Sequence, residues 1–332
     1  MRTKPKFKER VSLAKYSHYK IGGPARFFFE PKDERETAWA VKEAKKRKLA
    51  IFILSGGTNL LISDEGFDGL VIHPAMRSIK AKMKDGTVEV GAGATMADLL
   101  KLSAAKGLSG LEWAGGLPGT VGGAVRGNAG CFGGETKDAI VSVRSFNMGT
   151  MKFVTRTAAQ CAFHYRDSIF KRNSRKRNGA EIVLSATFRL ARGDKRAIAK
   201  AIREKIEYRR NVHPLDYPNI GSTFKNVPLH AVHKKGSSRY ARAVKSGVIM
   251  FRGSRFSVKT DPLPVISAAK LISESGLRGV SMGGAMISPM HPNFIVNVLN
   301  AGSYDVVRLI MLAKIEVRRK FGVDLEEEVQ VI

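Results

Sequence analysis

The chain has 332 residues and 43% hydrophobic content, enough for two or three domains with ordinary cores at about 150 residues each. Lys and Arg total 57 against 29 Asp and Glu, a net charge of +28 that favours an anionic partner such as nucleic acid, acidic lipid or a phosphorylated metabolite. Cys131 and Cys161 are too few for a disulfide framework and suit a reducing compartment. No apolar run approaches the roughly 18 residues of a membrane span. The segment behind the basic start, Val11 to Lys20, carries Lys15, His18 and Lys20 where a signal peptide needs apolar residues, so a cytoplasmic protein without membrane insertion is expected.

In chain order, Asp33 caps a predicted helix running to Lys48 whose buried stripe is Ala38, Ala40, Val41 and Ala44. Ile51 to Leu54 follows as a buried strand that ends at Ser55-Gly56-Gly57. Thr95 and Asp98 open a helix that runs to Lys106, with Gly107 as its carboxyl-terminal cap. Asp194 opens another to about Arg210, with Ala197, Ile198, Ala201, Ile202 and Ile206 on one face, placed to join two domains. A helix over Ser267–Ser275 stops at Gly276. A long one over Ser303–Phe321 is capped by Ser303, stops at Gly322, and buries Val306, Val307, Ile310, Ala313, Ile315 and Val317. The alternation of elements predicts mixed α and β structure, without internal repeats.

Two stretches depart from the average composition. Gly115 to Gly134 holds nine of the 33 glycines, a density that brings backbone close to something. His230 to Lys259 has eight Lys or Arg and no acid, and reads as a solvated or partly disordered insert, or a lid, more than as core.

Five motifs can carry chemistry. In Ser55-Gly56-Gly57-Thr58-Asn59, converging amides can hold a diphosphate, and a plain tight turn has the same letters. The segment is neither a Walker loop nor a G-x-G-x-x-G fingerprint. Gly115 to Ala124 allows close approach by a flat ligand or its phosphates, or equally by neighbouring helices. Tyr165-Arg166 can clamp a carboxylate or phosphate, although a surface salt bridge to Asp167 is the commoner use of such an arginine. Gly221-Ser222-Thr223-Phe224-Lys225-Asn226 exposes a serine hydroxyl beside a lysine and an asparagine, or is simply a capped turn. In the tail, Glu326-Glu327-Glu328, strand alternation turns Glu328 away from Glu327. The seven histidines and two cysteines show no metal-ligand spacing, and no metal is proposed.

Taken together with Tyr19 to Ala25, Asn128-Ala129-Gly130 and Leu325 to Val329, these motifs occur in an order that resembles the UDP-N-acetylenolpyruvoylglucosamine reductase family along nearly the whole chain. The resemblance implies an α+β fold: a two-subdomain FAD-binding domain of the vanillyl-alcohol-oxidase (PCMH) type over 1–205, with a subdomain boundary near 75–80. A substrate-binding domain over 206–332 follows, with a carboxyl-terminal strand that returns to the active site. FAD would lie against Gly56, Gly57, Thr58, Asn59, Leu117, Pro118, Gly119, Thr120, Gly122 and Gly123. NADPH is the implied co-substrate and a UDP-sugar the implied substrate, held by Tyr165, Arg166, Lys225 and Asn226.

Within that family, Arg166 matches the cation that stabilises a developing enolate and Ser222 matches the proton donor to C2. Glu328, the residue before the valine of the L-E-x-E-V pattern, matches the carboxylate that completes the site. Two departures stand out. Val227-Pro228 replaces a proline directly after Asn226, and 41 residues separate Asn226 from Ala268, so a basic insertion is expected near 229–264. No separate tyrosine-bearing loop is present, which implies the loop-lacking subtype. A monomer without a specific nucleic-acid partner is expected. The rival reading is a basic nucleic-acid-binding protein without flavin chemistry, supported by the net charge and by Lys171 to Arg177, and weakened by only 8% aromatic residues. A flavoprotein oxidase acting on an alcohol would not call for Ser222 and Glu328 together.

Overall fold

The computed structural model describes residues 5–174, 179–260 and 263–332. Residues 175–177 of the basic run Lys171 to Arg177 thus lie outside the described residues. The chain divides into two compact units: one holds the residues up to Val11 with Pro24–Gly57 and Phe67–Arg209, the other Ser12–Gly23, Thr58–Gly66 and Arg210–Ile332. Among the described residues no helix is long and apolar enough to cross a membrane.

The first unit contains two sheets. In one, the strands run in the order Lys8–Ser12, Pro24–Phe29, Phe67–Ile72, Ala50–Ile53, and the second and fourth both lie parallel to the third. The helix Glu34–Lys46 is the crossover that parallel pairing requires. Its cap is the predicted one: Asp33 accepts from the Glu36 amide at 2.8 Å. Thr37, Ala40, Val41 and Ala44 are buried; the last three pack with Phe29, Leu70 and Ile72, and Ala38 is half-buried against the same core. The expected buried strand at Ile51 is an edge strand, Ala50–Ile53, only half-buried.

The other sheet is antiparallel throughout, in the order Lys152–Thr157, Ile140–Asn147, Glu181–Arg189, Thr87–Gly91, Ile79–Lys82. Helices Met96–Lys106 and Val121–Gly127 accompany it, and Val88, Val90, Leu99, Val125, Val143 and Phe188 fill its core. Thr95 accepts from the Asp98 amide at 3.0 Å, and Gly107 closes the first of these helices with φ +64°.

The second unit has its own core, with Ile220, Phe224, Phe256, Ile266, Leu271, Ile287, Leu309 and Phe321 among its buried residues. The helix Ser303–Phe321 ends at Gly322, φ +66°, as expected, but its start differs. Gly302 is the cap, and Ser303 spends its hydroxyl on Asp64 Oδ2 at 2.9 Å. Leu309 and Phe321 are buried where Ile315 was expected, and Ile315 is 58% exposed, because the 3.6-residue period carries position 315 away from the core stripe.

The basic stretch is also corrected. Its residues form the helix Ser238–Ser246 and the paired strands Val248–Phe251 and Ser254–Thr260, and Ala243, Ile249 and Phe256 are buried in the core. The segment is amphipathic, with its charges on the outward face.

Candidate functional site

In the first unit the two glycine-rich bends meet backbone to backbone. A Cβ on Gly56 would stand 2.6 Å from Gly119 Cα and 3.0 Å from Thr120 N, so no side chain fits at that position. The Ser55 and Thr120 hydroxyls are hydrogen-bonded to one another, and a Cβ on Gly123 would stand 3.0 Å from Ser55 Oγ. Gly57, at φ +64°, and Gly119, at φ +101°, hold conformations that favour glycine.

Gly122 answers to packing instead: its Cβ would stand 2.9 Å from Ala92 Cβ, and its amide donates to Ala92 O at 2.9 Å. Leu117 rests against the core and Pro118 is exposed. Among the described residues, the amides of Gly56 and Gly57 donate no hydrogen bond, and neither do those of Gly119 and Thr120. Main-chain N–H groups left unspent around a left-handed glycine are suited to anionic oxygens, so the donor set fits the diphosphate of a dinucleotide cofactor.

Tyr165 and Arg166 occupy a turn in which the His164 amide donates to Asp167 O at 2.9 Å and the Asp167 amide to His164 O at 3.0 Å. Arg166 sits at φ +54°, a left-handed conformation that costs a non-glycine residue about 1–3 kcal/mol. The turn is tied down on three sides. Lys171 Nζ donates to Arg166 O at 2.8 Å, Ser168 Oγ to Arg126 O at 2.6 Å, and Asn128 Nδ2 to His164 O at 3.0 Å. The Arg166 guanidinium lies 5.2 Å from the centre of the Tyr165 ring, within cation–π range. Asp167 pairs with Arg172. Asn128 is fully buried, and its Oδ1 accepts from the Lys137 amide at 3.0 Å. The sequence placed Asn128 within a glycine-rich motif and assigned it no role; in the structure it closes the helix Val121–Gly127 at φ +44°, a left-handed position that asparagine tolerates.

In the second unit Gly221, at φ +82°, turns the chain into Ser222. The next residues are fastened by Asn293: Thr223 N donates to its carbonyl at 2.7 Å, Phe224 N to its Oδ1 at 2.9 Å, and its Nδ2 returns to Phe224 O at 2.8 Å. Sequence reasoning missed this residue, which sits in no recognisable motif. The tail runs antiparallel beside the same residues. Lys225 N donates to Glu326 O at 2.9 Å, Glu328 N donates to Thr223 O at 2.8 Å, and Phe224 pairs with Glu327. Asn59 Nδ2 donates to Glu328 O at 3.0 Å, after which Gln330 and Val331 pair in parallel with Leu60 and Leu61.

Asn59, Ser222 and Glu328 are therefore drawn from three distant stretches of chain onto one small piece of main-chain pairing. Glu326 pairs with Lys225, and Glu327 with Lys314 at 2.8 Å. Glu328 is half-buried. Asn226 Oδ1 accepts from the Ala268 amide at 3.2 Å and fixes the start of the helix Ala268–Glu274. Ser222 and Asn226 line a cavity of about 160 Å³ together with Lys259, Ser267, His291 and Asn293.

Residues 25–151 match the family model for an FAD binding domain, and residues 213–332 that for the carboxyl-terminal domain of UDP-N-acetylenolpyruvoylglucosamine reductase. The UDP-N-acetylenolpyruvoylglucosamine reductase of Lactobacillus johnsonii is 35% identical over 329 residues, 98% of this chain and 94% of that protein. The Lactobacillus gasseri reductase is 36% identical over 98% and 93% of the two chains. Among solved structures, the MurB reductase of Thermus caldophilus aligns with a TM-score of 0.73 at 29% identity, covering 98% of this chain and 99% of that one. These relatives lend no support to the nucleic-acid-binding alternative. Two domain matches in sequence and a likeness that runs from end to end lead to one conclusion: the chain belongs to the UDP-N-acetylenolpyruvoylglucosamine reductase family.

Proposed function

We propose that this protein is an FAD-containing, NADPH-dependent oxidoreductase that converts UDP-N-acetylenolpyruvoylglucosamine to UDP-N-acetylmuramate in peptidoglycan precursor synthesis. The observation that carries the reading is similarity to reductases of that name over 98% of the chain. The unspent amides of Gly56, Gly57, Gly119 and Thr120 support it independently, as the place for the FAD diphosphate. FAD, when bound, would supply the redox chemistry that couples oxidation of NADPH to reduction of the enolpyruvyl double bond.

The remaining work falls to side chains. The Arg166 guanidinium, held at a fixed angle by its turn, binds the substrate carboxylate and stabilises the negative charge that builds there as C3 is reduced. Ser222 Oγ holds the proton that goes to C2, so that one hydride and one proton complete the reduction of the double bond. Glu328 completes the proton path as the carboxylate that the tail brings back to the strand after Ser222. Tyr165, Lys225 and Asn226 contact the sugar nucleotide. The reading also takes the protein to be a cytoplasmic monomer.

Ser222→Ala tests the division of labour. The reduction of the flavin by NADPH should proceed nearly unchanged, while its reoxidation by the enolpyruvyl sugar nucleotide slows by about 10²- to 10⁴-fold in stopped-flow absorbance. Equal slowing of both half-reactions would remove Ser222 from the proton-donor role.

A further inference from the structure

The basic segment carries charge that nothing around it answers. Elsewhere on the surface, cations stand beside carboxylates, as Arg144 does with Glu34 at 2.9 Å, Arg47 with Glu43 at 2.7 Å and Arg319 with Glu316 at 2.7 Å. The eight Lys and Arg residues between His230 and Lys259 are all exposed, and among the described residues none of their side chains makes an ion pair or a hydrogen bond. The helix Ser238–Ser246 concentrates them. Ser237 Oγ accepts from the Tyr240 amide at 3.2 Å to start it, and Gly247, at φ +68°, ends it. Ala243 is buried and Tyr240 half-buried against the core, while Arg239, Arg242 and Lys245 recur three residues apart on the opposite side. The stripe that faces away from the core is therefore continuously positive.

Aliphatic side chains are interleaved with this charge. The helix packs against both strands of the hairpin that follows it, and the hairpin register sets Met250 opposite Arg255 on the face turned away from buried Ile249 and Phe256. Met250 is 65% exposed and Val244, beside Lys245, is 38% exposed. Unanswered cations mixed with exposed aliphatic groups fit the headgroup layer of an anionic bilayer, where phosphates meet the charges and the aliphatic groups reach the acyl boundary. Nucleic acid fits less well, because unpaired bases stack on exposed aromatic rings, and here Tyr240 and Phe251 are half-buried and Phe256 is buried. A second copy of the chain would bring like charges together.

We propose that the outward face of the segment 229–264 is a docking surface for anionic phospholipid, through which the protein adsorbs reversibly on a membrane without any segment crossing it. The Arg239–Arg242–Lys245 stripe supplies the attraction, and Met250 and Val244 supply the apolar contact that sets a lipid surface apart from other polyanions.

The test is co-sedimentation of the full-length holoenzyme with vesicles of phosphatidylglycerol and phosphatidylcholine in equal parts, with pure phosphatidylcholine vesicles as the uncharged control. Binding is expected to the anionic vesicles alone. Replacing Arg239, Arg242 and Lys245 together by Gln removes three cations, each worth about fivefold in partitioning, so binding should fall about 10²-fold. Met250→Gln should lower it severalfold. All four positions are exposed, so the fold tolerates these changes. Replacing Lys195, Arg196 and Arg203 by Gln, exposed cations of the helix Lys195–Val212, removes the same charge elsewhere and should leave binding unaltered. No binding of the unaltered protein to anionic vesicles, an equal loss in this second triple variant, or indifference to Met250→Gln would each overturn the docking surface. So would tighter binding to a DNA duplex than to the vesicles at the same salt concentration, which would assign the segment to nucleic acid.

Discussion

Arg166 illustrates how a single residue trades stability against function. A left-handed arginine costs about 1–3 kcal/mol relative to a relaxed backbone, and the turn around it spends hydrogen bonds from Lys171 and Asn128 to hold it. Glycine adopts that φ without the penalty. Arg166→Gly should therefore leave the thermal midpoint unchanged or slightly raised, while the substrate half-reaction falls by about 10²-fold or more. A clear drop in midpoint measured by circular dichroism would mean that the side chain, with its stacking on Tyr165, holds the turn together. Asn293 has a comparable positioning task in the second unit: its amide satisfies both the N–H and the C=O of Phe224, and so fixes the residues that follow Ser222.

At the scale of elements, the contact between glycine bends is the most sensitive point. A methyl on Gly56 would press on main-chain atoms of Gly119 and Thr120, which have no rotamer to yield, so the bends must separate. Gly56→Ala should emerge from gel filtration with a flavin-to-protein absorbance ratio well below that of the unaltered protein. Gly127→Ala, whose new methyl meets nothing within 4 Å, should retain its flavin. Helix caps at Asp33, Thr95 and Asp194 were legible because donor and acceptor lie within three residues of one another. The cap at Gly302 was not: Ser303 has the better capping side chain, but Asp64, 239 residues away, claims its hydroxyl. The basic segment was misread for a related reason. Charge density describes its outer face, whereas burial of Ile249 and Phe256 depends on a core assembled from other elements.

For the whole molecule, the charge of +28 matches substrates and cofactors that are all polyanions. A field of one sign draws such ligands in, and salt shortens its reach from about 30 Å at 0.01 M to about 8 Å at 0.15 M. The kcat/KM for the sugar nucleotide should fall severalfold over that range in steady-state assays at constant pH, with kcat little changed. A kcat/KM indifferent to salt would show that the surplus of lysine and arginine serves something other than substrate capture.

Sequence alone determined the family, the flavin chemistry expected of it, most of the helices and the two glycine bends, because caps, turns and ordered motifs are written in residues close together along the chain. Tertiary structure decided which side chains stand beside one another. It set Glu328 next to Thr223 with Asn59 on its carbonyl, placed Asn128 under the turn that carries Arg166, and turned Lys259 toward the Ser222 cavity. Those partners are up to 269 residues apart, and their register is chosen by the burial of apolar faces elsewhere in each unit, which no local pattern of letters records.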